Sequence, residues 1–143
     1  NKTIIIAEAG VNHNGDIETA KRLIDTAADS GVDYIKFQTF KADRIVTKNA
    51  KKADYQIKNQ DKSDDSQFNM LKKLELTEKD HYKLIEYCKS KKIKFMSSAF
   101  DIEGLKLLNK LNLDFFKIPS GEITNYPYLN NMLAHRCPRC GVL

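Results

Sequence analysis

YIKF, at residues 34–37, is a short apolar run that a single lysine interrupts, and FFKI repeats this pattern at residues 115–118. A strand that is buried in a parallel sheet is normally apolar almost throughout. Lys36 and Lys117 occupy equivalent late positions in the two runs, and Gln38 shares the face of Lys36 by the strand period of two. Because alternate strands of an eightfold barrel contribute side chains to the same interior layer, the sequence predicts that the two ammonium groups converge.

Short apolar runs alternate with amphipathic segments along the chain, which is typical of parallel β/α units. The pattern predicts strands over residues 3–8, 32–37, 93–98 and 114–118. Helices are expected over 17–30, from a capping box at 77–80, from a cap at Asp101, and over 126–133. No Gly-x-Gly-x-x-Gly motif follows the first run, which disfavours a doubly wound dinucleotide-binding sheet. We therefore predict an α/β chain that forms the N-terminal portion, about four β/α units, of a (β/α)8 TIM barrel.

Composition and charge exclude several classes of protein. Of the 143 residues, 41% are hydrophobic and 30% are charged, and no run approaches the roughly 18 consecutive apolar residues of a membrane span. The net charge of +5 comes from lysines scattered among acids, so no nucleic-acid partner is expected. Three cysteines do not make a disulfide framework and no signal peptide is recognisable, so the expected location is the cytoplasm. The chain begins at Asn1 rather than Met, so we expect its natural N-terminus to lie upstream.

The two lysines need partners, because an unpaired buried ammonium group is very costly. Salt bridges are one solution, and Glu8 at the end of the first strand could supply a carboxylate. A bound anion is the other, and it is favoured because barrel enzymes hold their active sites at the C-terminal ends of strands. Polar groups and glycine turns at residues 12–15, 97–98 and 120–122 predict a phosphate or carboxylate cradle there. His13, a lone histidine in a turn, is interpreted as a hydrogen-bonding group rather than a metal ligand.

Motifs in these regions resemble those of one known family. In chain order they are AEAGVNHNG at residues 7–15, KFQ at 36–38, ADYQ at 53–56, FMSSAF at 95–100, FKIPSGE at 116–122 and NYP at 125–127. By these motifs, residues 3–133 are similar to the sialic acid synthase family, which includes N-acetylneuraminate and legionaminate synthases. The resemblance implies the N-terminal half of that family's barrel domain.

The resemblance also implies an enzyme, a carbon–carbon bond-forming transferase of sialic acid biosynthesis. Its reaction is the condensation of phosphoenolpyruvate with N-acetylmannosamine, or a related 2-acetamido sugar, to give N-acetylneuraminate and phosphate. The family further implies a homo-oligomer and a divalent metal, Mn²⁺ or Mg²⁺. The histidines that bind this metal lie on later strands, so its ligands are expected to be absent from this chain.

The site residues that the resemblance implies fall into three groups. The side chains expected to hold phosphoenolpyruvate are Lys36, Ser98, Lys117 and Ser120. Those expected to contact the amino sugar are Gln38, Tyr55 and Glu122. The expected catalytic residues are Glu8, Lys36 and Lys117, with the role of Glu8 as acid, base or orienting group left open.

The final segment departs from the family pattern. AHRCPRCGVL at residues 134–143 does not resemble the family's continuation, so we divide the chain into a partial synthase barrel over 1–133 and an atypical tail. Cys137 and Cys140 resemble half of a zinc knuckle with only His135 nearby, so no metal site is predicted. We expect the chain to be a truncated portion that is inactive alone.

Other interpretations remain open at this point. A related phosphoenolpyruvate aldol enzyme, such as 3-deoxy-manno-octulosonate 8-phosphate synthase, would share the lysines but need a second phosphate site. A Schiff-base aldolase would use Lys117 as its nucleophile. A non-catalytic truncated or interaction protein would associate through open sheet edges.

Overall fold

The computed structural model describes residues 3–47, 67–115 and 117–134. Its elements are, in order, β1 (Ile6–Gly10), α1 (Ile17–Asp29), β2 (Tyr34–Thr39), α2 (Ala42–Ile45), α3 (Gln67–Lys73), α4 (Glu78–Ser90), β3 (Lys94–Ala99), α5 (Ile102–Lys110), a 3₁₀ helix (Ser120–Glu122) and α6 (Tyr126–Ala134). Strands and helices alternate in the predicted α/β pattern. Within the described ranges, no helix has both the length and the apolar character needed to cross a membrane.

Local sequence signals set the ends of the helices. Asp16 and Asp101 cap α1 and α5, each accepting a hydrogen bond from the backbone N–H three residues further on. Thr77 and Asp80 form the predicted capping box of α4, in which each side chain accepts from the backbone N–H of the other residue. Gly31 follows α1 with a φ of +70°, a left-handed conformation that favours glycine. These contacts satisfy backbone groups that a helix end leaves free, so α1, α4 and α5 begin or end where their sequence signals predict, whereas α2 and α3 were not predicted.

The three strands form one parallel sheet in the order β1-β2-β3. Glu8 of β1 pairs with Lys36 of β2, and Gln38 of β2 pairs with Ser98 of β3. Side chains alternate along a strand, and residues paired across neighbouring strands project from the same face. The side chains of these four residues therefore share one face of the sheet, termed the inner face.

The opposite face, termed the helix face, carries the hydrophobic core. Phe37 and Phe95 stack there with ring centroids 5.5 Å apart, and helices α1 and α4 contribute Ile24 and Leu84 to the same buried cluster. Complete burial of each such side chain contributes roughly 1.5–3 kcal/mol to folding. Cys88 of α4 is a buried free thiol in this cluster, and burial raises its pKa to about 12. Packing on this face holds the helices against the sheet and leaves the inner face for other groups.

The predicted fourth strand is not part of the sheet in the described residues. Residues 114–115 and 117–118 lie outside it, although Asp114 accepts a hydrogen bond from the Tyr34 hydroxyl at 3.0 Å. In the part of the chain that the structure describes, no strand follows this segment. A strand formed here would therefore be an edge strand, with backbone hydrogen bonds to one neighbour only. Pro119 also lacks the N–H that a ladder needs. The prediction of about four β/α units is thus confirmed for three strands, and closure into a barrel stays a prediction.

Candidate active site

An ion pair lies on the inner face. The Lys36 ammonium contacts the Glu8 carboxylate, and the side chains are 14% and 53% exposed, respectively. Of the two solutions that the sequence left open for this lysine, the structure shows the carboxylate partner. Because Glu8 is largely solvated, the pair contributes little to stability and can open when another anion approaches.

Gly10 lies directly against this group at the end of β1. A Cβ added at Gly10 would lie 3.3 Å from Oε1 of Glu8 and 3.5 Å from Nε2 of Gln38. Its φ of +54° is also one that side chains disfavour. The tight turn after β1 therefore places a carboxylate and an amide side by side at the carboxyl end of the sheet. Ser98 is the register partner of Gln38 and is buried on the same face.

The second predicted lysine has a local partner. Lys117 is half-buried, and its ammonium donates a hydrogen bond to the carbonyl oxygen of Ile118. Ser120 follows it in the 3₁₀ helix, where its side chain is exposed. The convergence of Lys36 and Lys117 on one anion, with Ser120 beside them, stays a prediction.

A cleft of about 690 Å³ lies beside the carboxyl end of β3. Its polar walls are Arg44, Asp101, Glu103, Glu122, Asn125 and Tyr128. The Glu122 carboxylate accepts a hydrogen bond from the Asn125 amide at 2.6 Å. Carboxylate, amide and guanidinium groups in one cleft can bind the hydroxyl and acetamido groups of a sugar. The predicted sugar contact Glu122 thus lies in a cleft of ordinary size for a small ligand.

His13 lies on the helix face and does not join the inner-face group. It is fully buried beside Phe37, with ring centroids 6.1 Å apart, and its Nδ1 accepts from the Gly15 N–H at 3.0 Å. Among the described residues, its Nε2 has no hydrogen-bond partner. Burial lowers the pKa of His13, so the imidazole is neutral near pH 7. The interpretation of His13 as a hydrogen-bonding group is confirmed, while its grouping with the predicted cradle is wrong.

The sequence also failed to reveal a buried polar group on the helix face. Oγ1 of Thr39 lies 2.7 Å from Nε2 of His81 and 2.7 Å from Oγ of Ser97. Ser97 was grouped with Ser98 as a cradle hydroxyl, but the strand period of two sends these neighbours to opposite faces. Thr39 and Ser97 are polar residues at positions that the strand pattern reserves for the core, and that mismatch was the available signal.

Several predictions fall on residues outside the described ranges. These are the sugar contact Tyr55, the ADYQ motif, and the tail with His135, Cys137 and Cys140. Within the described ranges, no group of three His, Cys, Asp or Glu side chains could hold a metal ion. The described residues therefore do not fit the divalent metal that the resemblance implies, and no step below depends on one.

The fold and site together define a class of protein. The chain is an α/β protein with a parallel sheet. It has a candidate anion site, because an ion-paired lysine, an amide and a hydroxyl lie at the carboxyl side of the strands. A family model described as the NeuB family matches residues 23–138. The chain belongs to the NeuB family, and the resemblance seen in its motifs is confirmed.

Individual relatives agree with this assignment. The chain is 56% identical over 131 residues to the N,N'-diacetyllegionaminic acid synthase of Campylobacter jejuni, aligning 92% of this chain with 39% of the relative. It is 52% identical over 134 residues to the protein of the same name from Legionella pneumophila, aligning 94% of this chain with 37% of that one. A solved structure of the N-acetylneuraminic acid (sialic acid) synthetase from Leptospira borgpetersenii, in complex with citrate, superposes with a TM-score of 0.78 at 31% identity over 94% of this chain and 42% of that one. The chain thus spans 37–42% of the length of these relatives.

Proposed function

We propose that the protein containing this chain joins phosphoenolpyruvate to an acetamido sugar and releases phosphate. Family membership and the identity to the two N,N'-diacetyllegionaminic acid synthases support this reaction class. The observation that carries the proposal is the Glu8–Lys36 ion pair, which lies beside Gln38 and Ser98 on the inner face. A cation whose partner is a solvated carboxylate is ready to exchange that partner for an anionic substrate.

The reaction needs no electron donor or acceptor. The enol carbon of phosphoenolpyruvate attacks the aldehyde carbon of the open-chain sugar, and a proton moves to the new alkoxide. Water then adds to the resulting oxocarbenium carbon and loses one proton, which balances the proton taken by the alkoxide. The bond from that carbon to the phosphate oxygen breaks as the new hydroxyl becomes the keto group, and its proton passes to the departing phosphate. Phosphoenolpyruvate, sugar and water are thereby converted into a 2-keto acid and inorganic phosphate, with all atoms accounted for.

Four side chains are proposed to hold phosphoenolpyruvate: Lys36, Ser98, Lys117 and Ser120. Two ammonium groups and two hydroxyls suit a ligand that carries both a carboxylate and a phosphate. In a site that excludes water, such donors stabilise the charge that develops on the departing phosphate more than they stabilise the ground state. When the anion engages Lys36, the Glu8 carboxylate is released next to the reacting carbons, where it can accept or return a proton.

The sugar is proposed to contact Gln38, Glu122 and Tyr55. Phosphoenolpyruvate contains no nitrogen, so every acetamido group of the product must come from the sugar. The named product of the two legionaminic acid synthases carries two acetyl groups on nitrogen. We therefore favour a sugar with two acetamido groups over N-acetylmannosamine. Assays of the whole protein with a diacetamido sugar, N-acetylmannosamine and arabinose 5-phosphate separate these substrates from that of the octulosonate synthase.

The anion site is tested by calorimetric titration of phosphoenolpyruvate into this chain at low salt. Lys36→Ala should weaken binding by about 10- to 100-fold, because a hydrogen bond to a charged group contributes about 1.5–3 kcal/mol. Lys94→Ala is the matched control, since Lys94 lies on the same face at the opposite end of β3, paired with Asp114. Glu8→Gln should strengthen binding severalfold, because it removes the competing carboxylate.

Two results would overturn the assignment of this site. Equal weakening by Lys36→Ala and Lys94→Ala would show that phosphoenolpyruvate responds only to net charge. Unchanged affinity in Lys36→Ala would show that the ligand binds elsewhere. Far-UV circular dichroism of each variant ensures that the comparison is made between folded proteins.

A further inference from the structure

The buried polar group on the helix face links three elements near the carboxyl end of the sheet. Thr39 ends β2, Ser97 lies in β3, and His81 lies in the first turn of α4; all three are buried. Thr39 and Ser97 each adjoin a residue of the candidate site, because Gln38 precedes Thr39 and Ser98 follows Ser97 in the chain. The same stretches of backbone therefore carry the polar group on one face and the site on the other.

The hydrogen bonds in this group have one consistent direction. Nδ1 of His81 lies 2.8 Å from the Thr77 carbonyl oxygen, which can only accept, so Nδ1 carries the proton. Nε2 of the neutral ring is then an acceptor, and the Thr39 hydroxyl must donate to it. The Thr39 oxygen in turn accepts from the Ser97 hydroxyl. The chain of donors thus runs from Ser97 through Thr39 and His81 to the backbone of α4.

Burying polar groups of this kind costs free energy of folding, and their polar atoms contribute no hydrophobic stabilisation. Polar side chains in a dry core are tolerated when every member is satisfied, and they then favour one arrangement over its alternatives. The backbone ladder already sets the distance between β2 and β3, so this arrangement adds a link from the ends of both strands to α4. Valine or alanine in place of Thr39 and Ser97 would fill this space without fixing α4 against the strand ends.

We propose that His81 is a positioning residue for the anion site, acting through Thr39 and Ser97 on the backbone that carries Gln38 and Ser98. His81 touches no substrate. It anchors the β2 and β3 ends to α4, and this anchor holds in place the backbone from which Gln38 and Ser98 project onto the inner face. This inference rests on the proposed function and extends it to residues on the opposite face of the sheet.

The test compares phosphoenolpyruvate affinity with stability in matched variants of this chain. His81→Leu removes both hydrogen bonds of the ring and should weaken phosphoenolpyruvate binding about tenfold, the upper range for coupling through a packed network. Leu84→Ala, one turn further along α4 and fully buried in the core, is the control. It should lower the unfolding temperature at least as much and leave the affinity within about twofold, because large-to-small core substitutions cost stability locally.

Two further variants separate positioning from a purely structural role. His81→Gln retains one acceptor and one donor on a single planar group, so it should recover part of the affinity that leucine loses. Thr39→Val keeps the side-chain shape and removes the hydroxyl, so it tests the same link if His81→Leu does not fold. The losses in Thr39→Val and His81→Leu should not add in the double variant, because both break one chain of bonds.

The outcomes distinguish this inference from the proposed function. If Lys36→Ala loses binding while His81→Leu and Thr39→Val keep it, the anion site stands and the positioning role is wrong. If affinity falls equally in His81→Leu and Leu84→Ala, His81 is only a stabilising residue. If the unmodified chain shows no saturable binding of phosphoenolpyruvate, both the proposed anion site and the positioning role of His81 are wrong for this chain.

Discussion

Lowering the pH from about 7.5 to about 5.5 should destabilise this chain through two buried histidines. His13 and His81 are fully buried, and burial lowers the pKa of each from its ordinary value of 6.5. In the unfolded chain both imidazoles return to that ordinary pKa and take up protons that the folded chain excludes. The free energy of unfolding therefore falls as the pH drops below 6.5 and recovers as the pH rises.

Proton linkage sets the size of the effect. One pH unit below the unfolded pKa, a histidine that takes up no proton in the folded chain favours the unfolded state by about 1.4 kcal/mol, which is the upper limit for each of the two groups. Any proton uptake in the folded chain reduces this value, so His13 and His81 together contribute at most about 2.8 kcal/mol against a typical total of about 5–15 kcal/mol. Carboxylates with lowered pKa values act at lower pH. Glu75, for example, loses its contribution as the pH falls below the ordinary value of 4.5, outside this window.

The measurement is urea denaturation followed by far-UV circular dichroism at about pH 7.5, 6.5 and 5.5. His13→Gln and His81→Gln should each reduce the pH dependence, and the double variant should reduce it more than either single variant. His135 is common to all these chains, so its titration cancels in the comparison. The same pH slope in the double variant and the unmodified chain would refute the account, since the protons would then bind elsewhere.

Other substitutions test single features of the fold by urea denaturation. Gly15→Ala should cost more than about 2 kcal/mol, because its φ is +77° and the new Cβ would lie 2.0 Å from the Lys73 carbonyl oxygen. Gly31→Ala is its control, with a φ of +70° and nothing within 4 Å, and should cost only about 1 kcal/mol; equal losses would contradict the predicted clash. Thr77→Ala should cost about 1 kcal/mol through loss of the α4 cap, whereas Thr77→Ser should cost almost nothing. Tyr128→Phe should cost about 1 kcal/mol, because the hydroxyl donates a buried 2.8 Å hydrogen bond to the last carbonyl of β3; an unchanged midpoint would show that this bond is not needed.

Helices α1, α4 and α5 were the most predictable part of the fold, whereas α2 and α3 were not predicted and the fourth predicted strand is not in the sheet. The ends of the three observed strands also differ from their predicted ends. The capping box at Thr77 and the glycine at Gly31 are local signals that need no distant partner. The strands run further than their apolar patterns do: β2 extends to Thr39 and β3 to Ala99, each past the predicted end. Backbone hydrogen bonds continue through polar residues because the ladder does not depend on side-chain polarity. A prediction from apolar residues alone therefore makes a strand too short when polar residues lie near its end.

The part of the candidate site that follows from the alternation of side chains along a strand could be predicted from the sequence. The rule of alternating faces placed Gln38 beside Lys36, and the need to neutralise a lysine pointed to Glu8. The link between Thr39 and His81 joins residues 42 apart, and that between Thr39 and Ser97 joins residues 58 apart. Neither spacing leaves a periodic trace in the sequence, so only the folded chain reveals these partners.

The ion pair on the inner face has a consequence for which anions the site accepts. Glu8 is tethered beside Lys36 and acts as a built-in competitor with a high effective concentration. A monovalent ion such as chloride offers one charge and loses hydration in exchange, so it displaces the carboxylate poorly. A ligand with several negative charges can engage Lys36 and other donors at once, and its combined contacts overcome the tethered carboxylate. For the proposed anion site we therefore expect multiply charged ligands to bind in preference to chloride, because Glu8 competes with both for Lys36.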